Sequence, residues 1–236
     1  MPQRPKVLLE PRKSPVQARS LASVDAILEA TIQVLLNVGK ERLTTTKVAL
    51  RAGVSVGTLY QYFPNKSALL QAALRRHMDE VTEAIALVCK QQRGETLQRM
   101  ATALITAFLQ AKMRDAKTSV ALYSVSSDVD GAKIVQEMGI KSNKAIVAML
   151  KTASEPLTTD PQLVASMLQG AMAGVSRRLL ESTALEKQFD HLHRELILMS
   201  CAYLDACSAH LPVQRANQRV LESAQPGIGS TLRSKF

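Results

Sequence analysis

The stretch LTTTKVALRAGVSVGTLYQYFPNK, residues 43–66, decides the fold of this 236-residue chain. Thr44 and Ser55 stand where two helices can begin, because a hydroxyl oxygen accepts a hydrogen bond from one of the free N–H groups of a first helical turn. Gly53 lies between these helices and permits a left-handed turn that a Cβ atom would oppose. We predict that the first helix ends near Ala52 and the second near Tyr62.

Longer helices flank this stretch. Pro64 disfavours helical geometry at the residue before it and so ends the second short helix. Asn65 can then cap a helix over residues 66–90, which is long enough to link two domains. On the N-terminal side, apolar residues recur at helical spacing from Ser20, and Gly39 supplies a stop. The apolar face of this first helix comprises Val24, Ile27, Leu28, Thr31, Ile32, Leu35 and Leu36.

The composition favours helices along the rest of the chain. Aromatic residues make up 3% and Trp is absent, whereas Ala and long unbranched side chains lose little entropy on entering a helix. We therefore predict an all-α fold. Residues 1–19 hold four prolines and five Lys or Arg without helical spacing, so we predict a flexible basic arm there. We also predict a mobile tail over residues 212–236. Further helices are predicted at roughly 95–114, 117–126, 129–153, 161–182 and 186–210.

Charge is concentrated in the N-terminal third. The formal net charge is +10, and residues 1–80 hold 12 Lys or Arg against 6 Asp or Glu, a net of +6. A basic region is typical of a protein with a polyanionic partner such as DNA, because each neutralised phosphate releases condensed counterions. A solubilising surface charge is the alternative.

The sequence also predicts the compartment. The three cysteines Cys89, Cys201 and Cys207 show no metal-ligand spacing. Together with the lack of a recognisable signal peptide, they indicate a reducing cytoplasm. No run approaches the ~18 continuous apolar residues of a membrane span. We therefore expect a soluble protein with no membrane partner.

Residues 44–63 meet the requirements of a DNA-binding helix-turn-helix. The two helices must cross closely so that the second fits a major groove about 12 Å wide, and Ala49 and Ala52 are small enough for that crossing. A plain helical hairpin is the alternative, but it has little reason to place two tyrosines on an exposed strip. The expected buried anchors are Val48, Val54, Leu59 and Phe63. The expected outward face is polar and aromatic and comprises Ser55, Val56, Gly57, Thr58, Tyr60, Gln61 and Tyr62.

Residues 19–70 closely resemble the N-terminal domain of the tetracycline-repressor (TetR) family. The matching stretches are ILEATIQVL, TTTKVALRAGVSVGTLYQYF and PNKSALL. The resemblance implies a homodimer with a three-helix helix-turn-helix head, joined through a fourth helix to a helical-bundle body for ligand binding and dimerisation. It also implies a repressor that leaves a palindromic DNA operator when a small molecule enters the body. We accordingly place the DNA-binding domain at residues 20–66 and the ligand-binding and dimerisation domain at residues 67–211.

The resemblance assigns candidate DNA-binding residues as well. Thr44, Thr45 and Thr46 open the second helix, where the family contacts phosphates and sometimes a base, although Thr46 is shorter than the basic residue that some members have there. The base-reading edge of the recognition helix carries Ser55, Val56, Gly57 and Tyr60, with Gln61 on the same outward face. The phosphate-contacting positions carry Thr58, Tyr62 and Lys66, the last near a helix N-terminus. Arg12, Lys13 and Arg19 of the arm either reach a minor groove or are merely basic and disordered.

The family layout implies an effector pocket and a dimer interface in the body, although no motif marks either. We expect Phe108, Tyr123 and Met172 to line the pocket, while noting that methionine at helical spacing is more often ordinary core. Apolar stripes on the last two helices predict a four-helix interface between subunits, with closure of the subunit's own core as the alternative. The stripes comprise Leu163, Met167, Leu168, Ala171, Val175 and Leu179, then Leu192, Leu196, Met199, Tyr203 and Leu204.

Other functions have less support in the sequence. No nucleophile elbow, phosphate-binding glycine loop, carboxylate pair or metal motif is present, so we expect no enzyme, cofactor or metal site. His77 follows Arg75 and Arg76 on the long helix, where a solvated face is expected. Cys201 and Cys207 lie six apart on one helix, a poor geometry for a disulfide, and thiol sensing is a remote alternative. A helix-turn-helix protein that acts through protein–protein contacts is the second function left open.

Overall fold

Helices form most of the chain that the structure describes. The computed structural model describes residues 18–208. Within this range a 3-10 turn at Ser126–Asp128 precedes α7, and Leu157 pairs with Ser208 in an isolated antiparallel bridge. The all-α prediction is confirmed. The α-helices of this range are α1 (Ala18–Arg42), α2 (Thr45–Ala52), α3 (Val56–Tyr62), α4 (Lys66–Gln91), α5 (Leu97–Met113), α6 (Ala116–Val125), α7 (Gly131–Leu150), α8 (Pro161–Glu181) and α9 (Leu185–Ala206).

The first turns of α2, α3 and α4 begin as predicted from their capping residues. Thr44 Oγ1 accepts a hydrogen bond of 3.3 Å from the backbone N–H of Lys47. Ser55 Oγ accepts one of 2.9 Å from Thr58 N–H, and Asn65 Oδ1 accepts one of 2.8 Å from Ala68 N–H. Each cap satisfies a backbone donor that the helix itself leaves free. The same chemistry recurs in the body at Thr96, Asp115 and Asp160.

Glycines mark the ends of two head helices. Gly53 has φ 68° and ψ 28°, the left-handed conformation predicted for the turn between α2 and α3. Gly39 has φ 74° and interrupts the last turn of α1. In the body, α7 begins at Gly131, two residues later than predicted. A Cβ atom at Gly131 would lie 2.6 Å from the carbonyl oxygen of Ser126, so that only glycine fits this close approach of backbone to backbone.

Two clusters of buried apolar side chains hold the structure together. The body cluster joins α4, α5, α7, α8 and α9 and includes Met100, Leu104 and Leu168. The head cluster is built around Leu59 and Phe63, but it is not confined to α1–α3. Its buried members include residues from α4, α6 and α7, namely Leu69, Leu74, Leu122, Val125, Ile134 and Met138. The head core is therefore shared with three helices that follow the helix-turn-helix, α4, α6 and α7.

Helix α1 has the length and apolarity of a membrane-crossing segment. Among residues 18–208 this property was found only for residues Ser20–Arg42, which have a mean hydropathy of 1.5. Ile27 and Leu35 of α1 are buried in the head core, while Asp25 and Glu29 lie exposed. This two-faced arrangement is that of a helix that covers the core of a folded domain.

The expectation of a solvated face around His77 is wrong. The ring of His77 is buried, and its Nε2 atom lies 3.0 Å from Ser119 Oγ. Because that hydroxyl donates its proton to the carbonyl of Lys112 at 2.8 Å, Nε2 is the donor to Ser119. Burial, followed by the positive charge of Lys112, lowers the pKa of His77 to about 4. A neutral histidine thus ties α4 to the first turn of α6.

Arg75 and Arg76 are also engaged in contacts between elements. Arg75 Nη1 lies 3.0 Å from Glu137 Oε2 of α7. The guanidinium of Arg76 lies 3.9 Å from Asp25 Oδ1 and 3.7 Å from Glu29 Oε2, both on α1. These pairs are partly exposed, so each contributes little to stability on its own. They nevertheless connect α4 to the head on one side and to α7 on the other.

Candidate DNA-binding site

The helix-turn-helix is held from inside by the anchors that the sequence predicts. Val48, Leu59 and Phe63 are buried, and Ala49 is buried where α2 meets α3. Val54 is half-buried and donates its N–H to the carbonyl of Ala49 at 3.0 Å across the turn. Because apolar burial fixes α3 on this inner side, its other side must face outward.

The outward side of α3 carries most of the predicted DNA-binding residues. Ser55, Gly57 and Gln61 are exposed, and Tyr60 exposes 41% of its surface. Val56 and Thr58 are half-buried at the edge of this side. The exposed strip presents hydroxyl, amide and aromatic groups and no charged side chain, a chemistry suited to base edges and phosphate oxygens.

The expectation that Tyr62 lies outward is wrong. Only 9% of its surface is exposed, and it belongs to the head core. Residues three apart in a helix share a face, so a tyrosine at this position lies beside the anchor Leu59 and follows it into the core. The spacing of Leu59 and Tyr62 in the sequence is the signal that identifies this placement.

A hydrogen bond holds the exposed tyrosine in place. The hydroxyl of Tyr60 lies 3.0 Å from Thr45 Oγ1, which links the middle of α3 to the first turn of α2. Ser55 Oγ lies 2.8 Å from Thr58 Oγ1 on the same strip. Thr44 and Thr46 are exposed beside Thr45. The start of α2 and the outward side of α3 therefore form one continuous polar surface, which we call the α2–α3 ridge and define by residues 44–46, 55–58, 60 and 61.

Basic side chains surround the α2–α3 ridge. Residues 40–66 hold five Lys or Arg against one acidic residue, a net of +4. Lys66 is half-buried at the start of α4 and donates its Nζ to the carbonyl of Lys40. Lys47 was not among the predicted site residues, although it is exposed one turn after Thr44, where it donates Nζ to the carbonyl of Arg42 at 2.9 Å. Of the basic arm, Arg12, Lys13 and the side chain of Arg19 lie outside the described residues.

The three predicted effector-pocket residues have different environments. Met172 is buried in the body core, and Phe108 is half-buried against it. Tyr123 on α6 is 55% exposed. A cleft of about 1330 Å³ lies instead between α4, α5 and the start of α9, and the described residues that line it include none of these three.

The apolar stripes of α8 and α9 divide between two environments. Leu168, Leu179, Leu196 and Leu204 are buried in the subunit's own core. Leu163, Met167 and Met199 face away from that core, and each is more than half exposed. Leu198 of α9 is also more than half exposed. Exposed Gly170, Ala173 and Gly174 continue this outer face along α8. The buried members thus close the subunit's own core, whereas the interface between subunits stays a prediction for the exposed members.

Cys89 and Cys201 do not have the properties of reactive thiols. Burial raises the pKa of Cys89 to about 12, and burial also raises the pKa of Cys201. A thiol with a raised pKa is mostly protonated near neutral pH and reacts slowly. Within residues 18–208, no group of three or more His, Cys, Asp or Glu side chains was found that is placed to hold a metal ion.

Two family models match this chain. Residues 27–73 match the model of bacterial regulatory proteins of the tetR family, and residues 96–204 match that of the tetracyclin repressor-like C-terminal domain. The HTH-type transcriptional repressor KstR of Mycolicibacterium smegmatis is 30% identical over 72% of this chain and 85% of its own length. The chain belongs to the TetR family.

Two further proteins are similar to this chain. A structure of a TetR-family transcriptional regulator from Mesorhizobium loti matches with a TM-score of 0.66 and 19% identity, covering 80% of this chain and 98% of that one. The nucleoid occlusion factor SlmA of Salmonella newport is 26% identical over 61% of this chain and 75% of its own length. Our TetR-family protein is therefore a DNA-binding transcriptional regulator with a helix-turn-helix head and a helical body.

Proposed function

We propose that the protein is a homodimeric repressor that holds a palindromic operator through the α2–α3 ridge and releases it when a small molecule binds the body. The observation that carries this proposal is the ridge itself, an exposed polar strip fixed by buried anchors and by the Thr45–Tyr60 hydrogen bond. The family description and the repressor KstR support it. The family is one of regulators, which supports a role without catalysis, in the cytoplasm and away from membranes.

Within the ridge, distinct side chains would contact bases and phosphates. Ser55, Gly57, Tyr60 and Gln61 are exposed along α3 and would face base edges in the major groove, while half-buried Val56 would offer its methyl groups to a thymine methyl. The phosphate contacts would come from Thr44, Thr45, Thr46, Thr58 and Lys66, to which we add the exposed Lys47. Tyr62 would act by packing α3 against the core.

Binding by α3 would require two copies. One short helix reads only a half-site, and helix-turn-helix dimers place two recognition helices about 34–36 Å apart on one side of the duplex. The outer face of α8 and α9 offers a surface for the second copy, because Leu163, Met167 and Met199 are exposed there next to small residues that permit close helix approach. Four helices, two from each subunit, would then bury these side chains.

Effector binding in the body would shift the position of the heads. Since the head core includes buried residues of α6 and α7, a rearrangement of these helices would reach α1–α3 through direct packing.

A matched pair of tyrosine substitutions tests the proposed role of the ridge. An operator is first selected from random duplexes with the purified full-length protein, and affinity is then measured by fluorescence anisotropy. Tyr60→Ala should weaken operator binding at least ~10-fold, the equivalent of one good base contact, while affinity for unrelated DNA changes less. Tyr123→Ala removes another exposed tyrosine, on α6, and should change neither. Equal operator affinity for Tyr60→Ala and the wild type would show that α3 does not read the operator.

A further inference from the structure

The cleft between α4, α5 and the start of α9 has an apolar wall. Leu87 of α4 is 58% exposed and lies on this wall, together with Met113 of α5 and Phe189 of α9. The ring of Phe189 stacks on that of His193, with centroids 5.7 Å apart, which fixes its orientation. The cleft is open to solvent, and its volume of about 1330 Å³ leaves room for a drug-sized molecule to lie along it.

The charge of this cleft is opposite to that of the whole protein. Its charged lining residues are Glu80, Glu83, Glu186 and Arg114, three carboxylates against one guanidinium and thus a net of −2, in a chain with a net charge of +10. Glu80 and Arg114 pair with each other at 3.5 Å. Glu83 and Glu186 are exposed, on α4 and α9. A cation between these helices would meet carboxylates from both sides, whereas a carboxylate or phosphate would be repelled.

We propose that this cleft binds an organic cation with an apolar body, and that such a cation is the effector. The effector role rests on the repressor function proposed above, whereas binding of the cation does not. The apolar body would cover Leu87, Met113 and Phe189, which removes apolar surface from water. The positive charge would lie among the carboxylates, and a flat or aromatic cation would also gain from the ring of Phe189.

The cleft is connected to the DNA-binding head through Glu80. Besides Arg114, Glu80 contacts Arg76 of the same helix at 3.7 Å, and Arg76 in turn contacts Asp25 and Glu29 of α1. A cation beside Glu80 would compete with both guanidinium groups for this carboxylate. Release of Arg76 would change its contacts with α1, and α1 packs directly on the helix-turn-helix. The chain of ion pairs thus gives a bound cation a route to the head.

Isothermal titration calorimetry of the full-length protein with tetraphenylphosphonium tests the site. Tetraphenylborate has the same shape and the opposite charge and serves as the matched probe. The wild type should bind the cation, and Glu83→Gln combined with Glu186→Gln should weaken that binding roughly 10-fold, as expected for the loss of two partly exposed charge contacts. Binding of tetraphenylborate should not be weakened by this pair. Glu195→Gln, an exposed substitution on α9 outside the cleft lining, should leave the cation's affinity unchanged.

A second pair of variants tests the apolar wall. Leu87→Gln should weaken cation binding several-fold, whereas Leu50→Gln, which alters another exposed leucine on α2, should not. Absence of cation binding, or equal affinity in the wild type and in the Glu83 and Glu186 variant, would overturn the site. If that variant instead changed the oligomeric state in sedimentation and left cation affinity intact, the cleft would be a contact between copies of the chain and the proposal would also be overturned.

The effector role is separated from DNA binding by measuring the operator complex with and without tetraphenylphosphonium. Release of the operator by the cation in the wild type, and weaker release in the Glu83 and Glu186 variant, is the expected result. Cation binding without any change in operator affinity would overturn the effector role. Failure of the unliganded protein to bind any duplex would overturn the proposed repressor function, a result independent of the calorimetry.

Discussion

Lowering the pH from about 7.5 to about 5 should destabilise the protein through His77. An unfolded histidine takes up a proton below its ordinary pKa of 6.5, whereas the folded state keeps His77 neutral down to about pH 4. Between these values the unfolded chain binds more protons, so that the free energy of unfolding falls as the pH falls. With these two pKa values the loss by pH 5 is about 2 kcal/mol. The groups around the ring are Lys112 and Arg114, which oppose protonation, Asp115, which favours it, and Ser119, which accepts its hydrogen bond.

Urea unfolding followed by far-UV circular dichroism at both pH values measures this loss. The protein concentration must be kept constant, because the stability of a dimer depends on it. His77→Gln retains a side-chain donor that can reach Ser119 but does not titrate, so the variant should lose about 2 kcal/mol less than the wild type over the same pH range. His191→Gln alters an exposed histidine on α9 and should behave like the wild type. Identical pH dependence of wild type and His77→Gln would refute the buried, neutral state of this ring.

Three further predictions concern DNA binding, assembly and packing. If the basic surroundings of the ridge hold phosphates, raising the salt concentration from ~50 to ~200 mM should weaken operator affinity on the order of 10³-fold, and a flat response in anisotropy titrations would exclude this mechanism. Met167→Glu on the outer face of α8 should raise the dimer dissociation constant at least ~10-fold in sedimentation experiments, because the charge must be desolvated. Val120→Glu, at an exposed position of α6, should not. Gly131→Ala should lower the free energy of unfolding by about 1–3 kcal/mol, since its Cβ would clash with the backbone of Ser126. Gly139→Ala on the same helix meets no atom within 4 Å and should be neutral or slightly stabilising, so equal effects would refute the close approach at the start of α7.

Local features of the fold could be predicted from sequence because short-range chemistry determines them. The caps at Thr44, Ser55 and Asn65 and the left-handed turn at Gly53 each depend on one side chain and its own backbone neighbours. The placement of His77 could not be predicted, because its neutral, buried state depends on Ser119, which lies 42 residues further along the chain. Tyr62 lies between these cases, since its spacing from Leu59 is local but its burial also requires the rest of the head core.

The cleft could not be predicted from the sequence, because its lining residues come from distant parts of the chain. Glu80 lies on α4, Arg114 directly after α5 and Glu186 on α9, and no spacing in the chain marks them as neighbours. The effector candidates Phe108, Tyr123 and Met172 rest on residue type and family layout alone. Aromatic and methionine side chains serve the core as well as they serve a pocket, so residue type does not separate the two roles.

Because the head core contains side chains of α6 and α7, a structural change in the body can act on α3 through direct packing. Leu122 and Val125 of α6 and Ile134 of α7 are buried in the same cluster as Leu59 and Phe63, the anchors of α3. A packed core does not deform continuously, because its side chains interdigitate in a few discrete arrangements. A shift of α6 or α7 must therefore be met by repacking around α3, or else leave a void there. Since the ridge is positioned by those anchors, the orientation of Tyr60 and the packing of the body are linked by direct contact, and the ion pairs through Arg76 add a second connection on the side of α1.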